Sequence, residues 1–188
     1  TMKVVFEKAT CRLLGAQIIG YEGVDKRIDV LATAIHAGMK ATQLKDLDLA
    51  YAPPYSSAKD PVSMAGFMID NITKEILKQW HLEDMDAVLK EEGAVLLDVR
   101  TVQEYSRGHI SGFINIPLDE LREHIHEIEK GKPVYLICQS GLRSYIASRI
   151  LEGYGYETYN FSGGFRYYDA VVNDRALIER AYACGMDY

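Results

Sequence analysis

The sequence has no basic block, no long apolar stretch and no Cys-x-x-Cys pair, and each absence removes a class of protein. With 21 Lys and Arg against 27 Asp and Glu, the formal charge is −6. Nothing is set out to neutralise a phosphate backbone, so nucleic acid is not an expected partner. The longest purely apolar stretch, Val134 to Cys138, falls far short of the ~20 residues of a membrane helix. Lys3, Glu7, Lys8 and Arg12 break up the apolar core that a signal peptide requires. No membrane association is expected. Three cysteines, Cys11, Cys138 and Cys184, are an odd number without metal-ligand spacing. They argue against a disulfide framework and a structural zinc site, and no metal site is expected among the histidines either. A reducing, cytoplasmic setting follows. Hydrophobic and charged fractions of 48% and 26% are those of a folded globular chain rather than a disordered or coiled-coil one.

The chain's 188 residues, against roughly 150 per domain, suit one large domain or two small ones. Met2 to Glu7 and Leu13 to Gly20 are β-branched and apolar enough for a hairpin. Val24, Ile28, Leu31, Ile35 and Met39 step by three or four and predict a helix. Two prolines in the stretch 51–56 forbid helix there. Asp60-Pro61 then reads as an N-cap with proline at the first helical position, opening a helix to about Leu77. Beyond it the pattern changes to short apolar runs, Ala94 to Asp98 and Val134 to Cys138, of the kind found in buried parallel strands. Ile114–Ile116 and Thr158–Phe161 are further strand candidates. Helices are expected at Leu121/Ile125/Ile128 and Leu142/Ile146/Ile150. Such alternation predicts an α/β fold with a helix-covered parallel sheet, preceded by a smaller α+β region, with a boundary near residues 76–82.

The segment Cys138-Gln-Ser-Gly-Leu-Arg143-Ser144 lies between a predicted strand and a predicted helix. In an open α/β sheet that point faces the crevice where ligands bind. A helix N-terminus offers unpaired amides and a positive dipole end. Gly141 permits a tight curl, and Arg143 adds a fixed charge. A thiolate is the nucleophilic form of cysteine, and this setting favours it. Cys138 is therefore expected to alkylate faster than Cys11 or Cys184. The competing reading is an inert core thiol that ends a strand. The glycine and arginine that follow argue against it.

This loop resembles the active-site loop of rhodanese sulfurtransferases. Leu97-Asp-Val-Arg100, Glu104-Tyr105, Gly108-His-Ile110, Gly112-Phe-Ile-Asn-Ile-Pro117 and Gly163-Gly164 are similar to the family's remaining signatures, in its order, over about residues 80–172. The resemblance implies a rhodanese-like sheet flanked by helices and a sulfur-transfer mechanism. Cys138 would take sulfur from a small sulfane donor (thiosulfate, polysulfide or persulfide) and pass it to a thiol acceptor. The loop residues Gln139, Ser140, Gly141, Leu142 and Ser144 would bind the persulfide, and Arg143 would steer the anionic donor. Asp98, Arg100 and His109 are expected to be structural supports. Dual-specificity phosphatases of this fold place five residues between Cys and Arg. Here there are four, too few for a phosphate cradle, so phosphatase chemistry is the weaker reading.

The amino-terminal half, with Leu13-Leu-Gly-Ala-Gln-Ile-Ile-Gly20, Gly23-Val-Asp-Lys-Arg-Ile-Asp-Val30 and residues 48–61, is similar to the dimerisation domain of pyridine nucleotide-disulfide oxidoreductases. It is similar especially to the coenzyme A-disulfide reductase and NADH oxidase branch. The domains expected are 1–78 (partial dimerisation domain), 79–172 (rhodanese-like) and 173–188 (tail or linker). This resemblance implies a longer homodimeric flavoprotein that uses FAD, NAD(P)H and coenzyme A, with its own flavin domain as a partner of the rhodanese module. No Gly-x-Gly-x-x-Gly fingerprint occurs here, so no cofactor is expected to bind these 188 residues and reductase activity cannot be theirs alone. By resemblance, Tyr51 would reach a partner subunit's reductase site. Cys11 stands in a turn where the family has glycine. A non-catalytic element for dimerisation and sulfur-species binding is the alternative function. Cys184 is read as a bystander in the tail.

Overall fold

The computed structural model describes residues 1–183; Cys184 and the linker expected at its side lie outside them. The chain divides into two compact units, Thr1–Leu77 and the residues from Lys78 onward. In the first, β1 (Met2–Phe6) and β2 (Leu13–Ile18) form an antiparallel hairpin. Its turn is closed at Cys11, whose φ of 61° lies in the left-handed region that favours glycine. Helix α1 (Val24–His36) follows, then a 3-10 segment (Ala41–Asp46) and α2 (Pro61–Thr73). The apolar steps of α1 and α2 bury Leu31, Ala34, Val62 and Ile69 with Leu13 and Leu44 in one core.

The Asp60-Pro61 signal works as expected. Asp60 Oδ1 accepts from Val62 N–H at 2.9 Å, and proline fills the position whose amide would have no partner. Arg27 Nε pairs with the same buried carboxylate at 3.1 Å. The helix ends at Thr73, short of the expected Leu77, because Glu75 turns left-handed at φ 57°.

In the second unit, five parallel strands lie in the order β3-β7-β6-β4-β5. They are β3 (Gln79–Trp80), β4 (Val95–Asp98), β5 (Ile114–Asn115), β6 (Val134–Ile137) and β7 (Thr158–Phe161). Helices α3 (Met85–Val88), α4 (Val102–Arg107), α5 (Leu142–Gly153) and α6 (Gly164–Ala183) connect or follow them. Helix α6 runs on past residue 172, through the start of the expected tail. The pleat divides the core between the two faces of the sheet. Val134, Leu136 and Cys138 pack with Ala147 and Leu151, while Ile137 packs on the other side with Trp80, Phe113 and Phe161.

Two expectations need correction. The apolar spacing Leu121/Ile125/Ile128 does not make an α-helix; the segment is a series of turns with one 3-10 turn at Ile125–Glu127. Leu121 and Ile128 are nonetheless buried. The carbonyls of Ile125 and Ile128 accept from the Tyr156 hydroxyl, at 3.1 and 2.9 Å, and Ile125 also takes the Ile128 amide of that 3-10 turn. In α5 the helix is where expected, but of the stripe that predicted it only Ile150 packs against the core. Leu142 and Ile146 are exposed, and Ser144, Ala147, Ser148 and Leu151 are buried. Three of these four are small, which lets the helix lie close against the sheet.

Candidate active site around Cys138

Cys138 is the residue after β6. The period of two that buries Val134 and Leu136 therefore carries its side chain inward as well, under α5. Its relative exposure is 0%. Cys11 is partly exposed, so the expected order of alkylation sets the activation of Cys138 against its burial. The sulfur is not simply lodged among apolar side chains. Gly141 N–H donates to Sγ at 3.1 Å and Ser144 O–H donates to it at 3.2 Å.

The loop is clamped from both ends so that donors face the sulfur. Phe165 N–H donates to the Cys138 carbonyl at 2.8 Å, and Arg166 N–H to the Gln139 carbonyl at 3.2 Å, both from the start of α6. In a planar trans peptide the carbonyl and the amide point opposite ways, so Gln139 N–H and Ser140 N–H face away from α6. The close approach needs Gly164: a Cβ there would lie 2.6 Å from Ser140 N and 2.7 Å from the Gln139 carbonyl carbon. On the other side the Gly141 carbonyl accepts from Tyr145 N–H at 3.1 Å and from Asn160 Nδ2 at 3.2 Å, and lies 3.2 Å from Ser144 Oγ, whose single proton it shares with the Cys138 sulfur. Gly141 itself sits at φ 104°, a conformation closed to other residues without strain. The next amides, of Leu142, Arg143 and Ser144, open α5 and have no partner within the helix.

Arg143, expected to steer the anionic donor, is ion-paired in the structure. Its guanidinium forms a fork with Glu104, Nη1 to Oε2 and Nη2 to Oε1, both at 2.7 Å. The arginine beside the thiol is therefore already matched by a carboxylate. That pairing holds the Glu104 carboxyl down at about 2, against burial that pushes it up. Thr101 fixes the carboxylate through a capping box at the start of α4.

Asp98 and Arg100 occupy the end of β4 and the turn after it, both about 1% exposed and joined by Nη2–Oδ2 and Nε–Oδ2 contacts of 2.7 and 2.9 Å. Arg100 also donates to the Gly108 carbonyl at 2.8 Å and stacks on Phe165, 3.9 Å from the ring centroid. The buried pair thus ties the end of β4 to the residue whose amide holds Cys138. His109 stacks on Tyr105 and lies 3.2 Å from its carbonyl through Nδ1.

Tyr51 belongs to the first unit. It is half exposed and lines a cavity of about 80 Å³ with Asp48, Ser57 and Asp60. Sequence reasoning gave no role to Glu104, Thr101, Asn160 or Phe165. Thr101-x-x-Glu104 carries a legible capping-box signal, whereas Asn160 and Phe165 carry none before the strands are paired.

The turn after β4 and the cavity beside it do not fit FAD or NAD(P)H. Beside the loop lies a cavity of about 280 Å³, below even the ~300–1,000 Å³ usual for small-molecule sites. The turn after β4 has no glycine, and the carboxylate of Glu104 caps α4, where a pyrophosphate would need free amides. Among the described residues no cluster of histidine, cysteine and carboxylates has metal-ligand geometry, and no helix is long and apolar enough to cross a membrane.

Residues 81–170 match the family model of the rhodanese-like domain, and residues 1–61 that of the pyridine nucleotide-disulphide oxidoreductase dimerisation domain. The crystal structure of reduced CoADR-RHD from Bacillus anthracis is similar over 93% of this chain and 31% of its own, at 45% identity and a TM-score of 0.88. That of a NAD-dependent persulfide reductase from A. fulgidus is similar over 87% of this chain and 29% of its own, at 41% identity and a TM-score of 0.76. A putative sulfur carrier protein of Bacillus subtilis, YrkF, is 35% identical over 47% of this chain and 44% of its own length. The chain spans less than half of each of these relatives. It belongs, from residue 81 to 170, to the rhodanese-like domain family, and its first 61 residues belong to the dimerisation domain of the pyridine nucleotide-disulphide oxidoreductases.

Proposed function

We propose that the rhodanese-like domain, taken as residues 79–172, is a sulfurtransferase that carries sulfane sulfur as a persulfide on Cys138. The observation that carries this reading is the pair of donors on Cys138 Sγ, Gly141 N–H at 3.1 Å and Ser144 O–H at 3.2 Å, at the start of α5. Such donors stabilise a sulfur anion and the helix dipole adds to them. In the first step the Cys138 thiolate attacks the outer sulfur of a donor. A Cys138 S–S bond forms as the donor's own bond to that sulfur breaks, and the donor residue leaves with the electron pair: sulfite from thiosulfate, a thiolate from an organic persulfide. In the second, an acceptor thiolate attacks the outer sulfur and Cys138 leaves as thiolate. No net oxidation of the protein occurs.

The unpartnered amides of Leu142 and Arg143 would hold the outer sulfur, with Gln139 and Ser140 forming the loop wall. Asp98, Arg100 and His109 act as supports. In the longer relatives the same module would exchange sulfur with a coenzyme A-disulfide, persulfide or polysulfide reductase centre that uses FAD and NAD(P)H. The amino-terminal unit would then provide a homodimer contact and Tyr51 would face the partner's reductase site. A reducing, cytoplasmic compartment keeps Cys138 free for this chemistry.

The test is to load the chain with thiosulfate or polysulfide and measure both the mass of the Cys138 peptide and thiocyanate formation on adding cyanide. One added sulfur atom on Cys138, lost with cyanide, is expected, and Cys138→Ser should abolish both signals. Turnover retained in Cys138→Ser would refute the proposal.

A further inference from the structure

We propose that Glu104 is a specificity-determining residue of this site: by holding Arg143 it disfavours donors whose sulfane sulfur is bonded to an oxyanion and favours sulfur carried on an organic thiol. The inference rests on the sulfur-transfer reading and concerns which donor class that site accepts.

Two of the arginines near the loop, Arg100 and Arg143, are already matched. Asp98 holds Arg100, and Glu104 takes both terminal nitrogens of Arg143, each at 2.7 Å. A bidentate fork satisfies the guanidinium face that a sulfonate would use. Thr101 N–H and O–H also donate to Glu104, at 3.0 and 3.1 Å, so the carboxylate is fixed in place rather than free to swing aside. It lines the 280 Å³ cavity beside the loop together with Gln139, the neighbour of Cys138. A thiosulfate entering there meets a carboxylate and an arginine already neutralised.

The chemistry of the leaving group sharpens the contrast. Thiosulfate departs as sulfite, a dianion whose charge develops close to the loop and calls for a cation there. An organic persulfide departs as a thiolate with a single charge, which a proton can cancel. Arg107 also lines the cavity, at its exposed side, and makes no ion pair among the described residues. The cavity thus offers a cation on α4, one turn beyond Glu104, and a cancelled one at Arg143. That distribution suits a thiol carrier with an anionic group remote from its sulfur.

The experiment compares kcat/KM for thiosulfate with kcat/KM for glutathione persulfide in the wild-type chain and in Glu104→Gln. Glutamine keeps the capping-box pattern while removing the charge. Because both donors are assayed on one preparation, their ratio does not depend on the fraction folded. The ratio, thiosulfate over persulfide, is expected to rise about tenfold as Arg143 is released. Thr101→Val keeps both charges and the bond from Thr101 N–H to the Glu104 carboxylate, so it should raise the ratio by less than Glu104→Gln does. An unchanged ratio in Glu104→Gln, or an equal rise in Thr101→Val, would overturn the role of Glu104. If neither donor places sulfur on Cys138, the sulfur-transfer reading fails first and this inference with it; sulfur on Cys138 with an unchanged ratio removes this inference alone.

Discussion

Replacing Gly164 by alanine should damage the fold and the candidate site together, and the structure separates the two causes. Gly164 has φ 68°, and an added Cβ would lie 2.6 Å from Ser140 N and 2.7 Å from both the carbon and the oxygen of the Gln139 carbonyl. A left-handed backbone costs an alanine ~1–2 kcal/mol. Relieving the overlap means displacing the loop backbone, at ~1–3 kcal/mol for an overpacked site. Together they predict a loss of about 2–5 kcal/mol, and a fall of roughly 1–2 M in the urea midpoint. The reporter is built in. Trp80 is the single tryptophan of the chain, it is buried in the same unit, and its ring centroid lies 4.5 Å from that of Phe161, just before the glycine pair. Gly155→Ala is the control: φ is 83° but nothing lies within 4 Å of its Cβ, so it bears only the backbone cost. Sulfur transfer should also fall about a hundredfold in Gly164→Ala, because a displaced loop no longer aims its amides at Sγ, and should be retained in Gly155→Ala. Equal midpoints for the two variants, or normal transfer in Gly164→Ala, would refute the argument that Gly164 is required by the approach of α6 to the loop.

The buried Asp98–Arg100 pair should behave as a unit. Arg100→Met leaves an uncompensated buried carboxylate and is expected to cost about 3–5 kcal/mol in urea unfolding, whereas adding Asp98→Leu should recover part of that loss; additive losses would show that the two side chains act separately. The Glu104–Arg143 pair should make the second unit sensitive to acid. The Glu104 carboxyl lies at about 2, below its ordinary 4.5, so its contribution is complete above pH 4.5 and is lost as the pH falls toward 2. Because both side chains are close to a third exposed, about 1–2 kcal/mol is expected from it. Urea midpoints followed by Trp80 fluorescence should therefore fall less steeply between pH 5 and pH 2 in Glu104→Gln than in wild type, and parallel curves would contradict the assignment.

Much of the site was legible in the sequence because its signals are local. Asp60-Pro61 stated where α2 begins, Gly141 stated that the loop curls ahead of α5, and the apolar runs at β4 and β6 stated a buried parallel sheet. The α5 stripe and the 121–128 segment show the limit of periodicity. It detects apolar spacing, but small residues such as Ser144 and Ala147 can form the inward face, and buried apolar residues such as Leu121 and Ile128 can be carried by turns.

The sequence by itself determined the hairpin, the starts of α2 and α5, the strands β4, β6 and β7, and a cysteine followed by a glycine at the mouth of a helix, since turn chemistry, capping and strand pleat act within a few residues. Tertiary structure alone decided that Cys138 lies wholly under α5, that Glu104 reaches Arg143 across 39 residues of sequence, and that α6 starts against the Gln139 carbonyl. Those contacts depend on which strands lie side by side in the sheet and on how closely its covering helices pack, and both are settled only when segments far apart in the chain compete for the same buried surface.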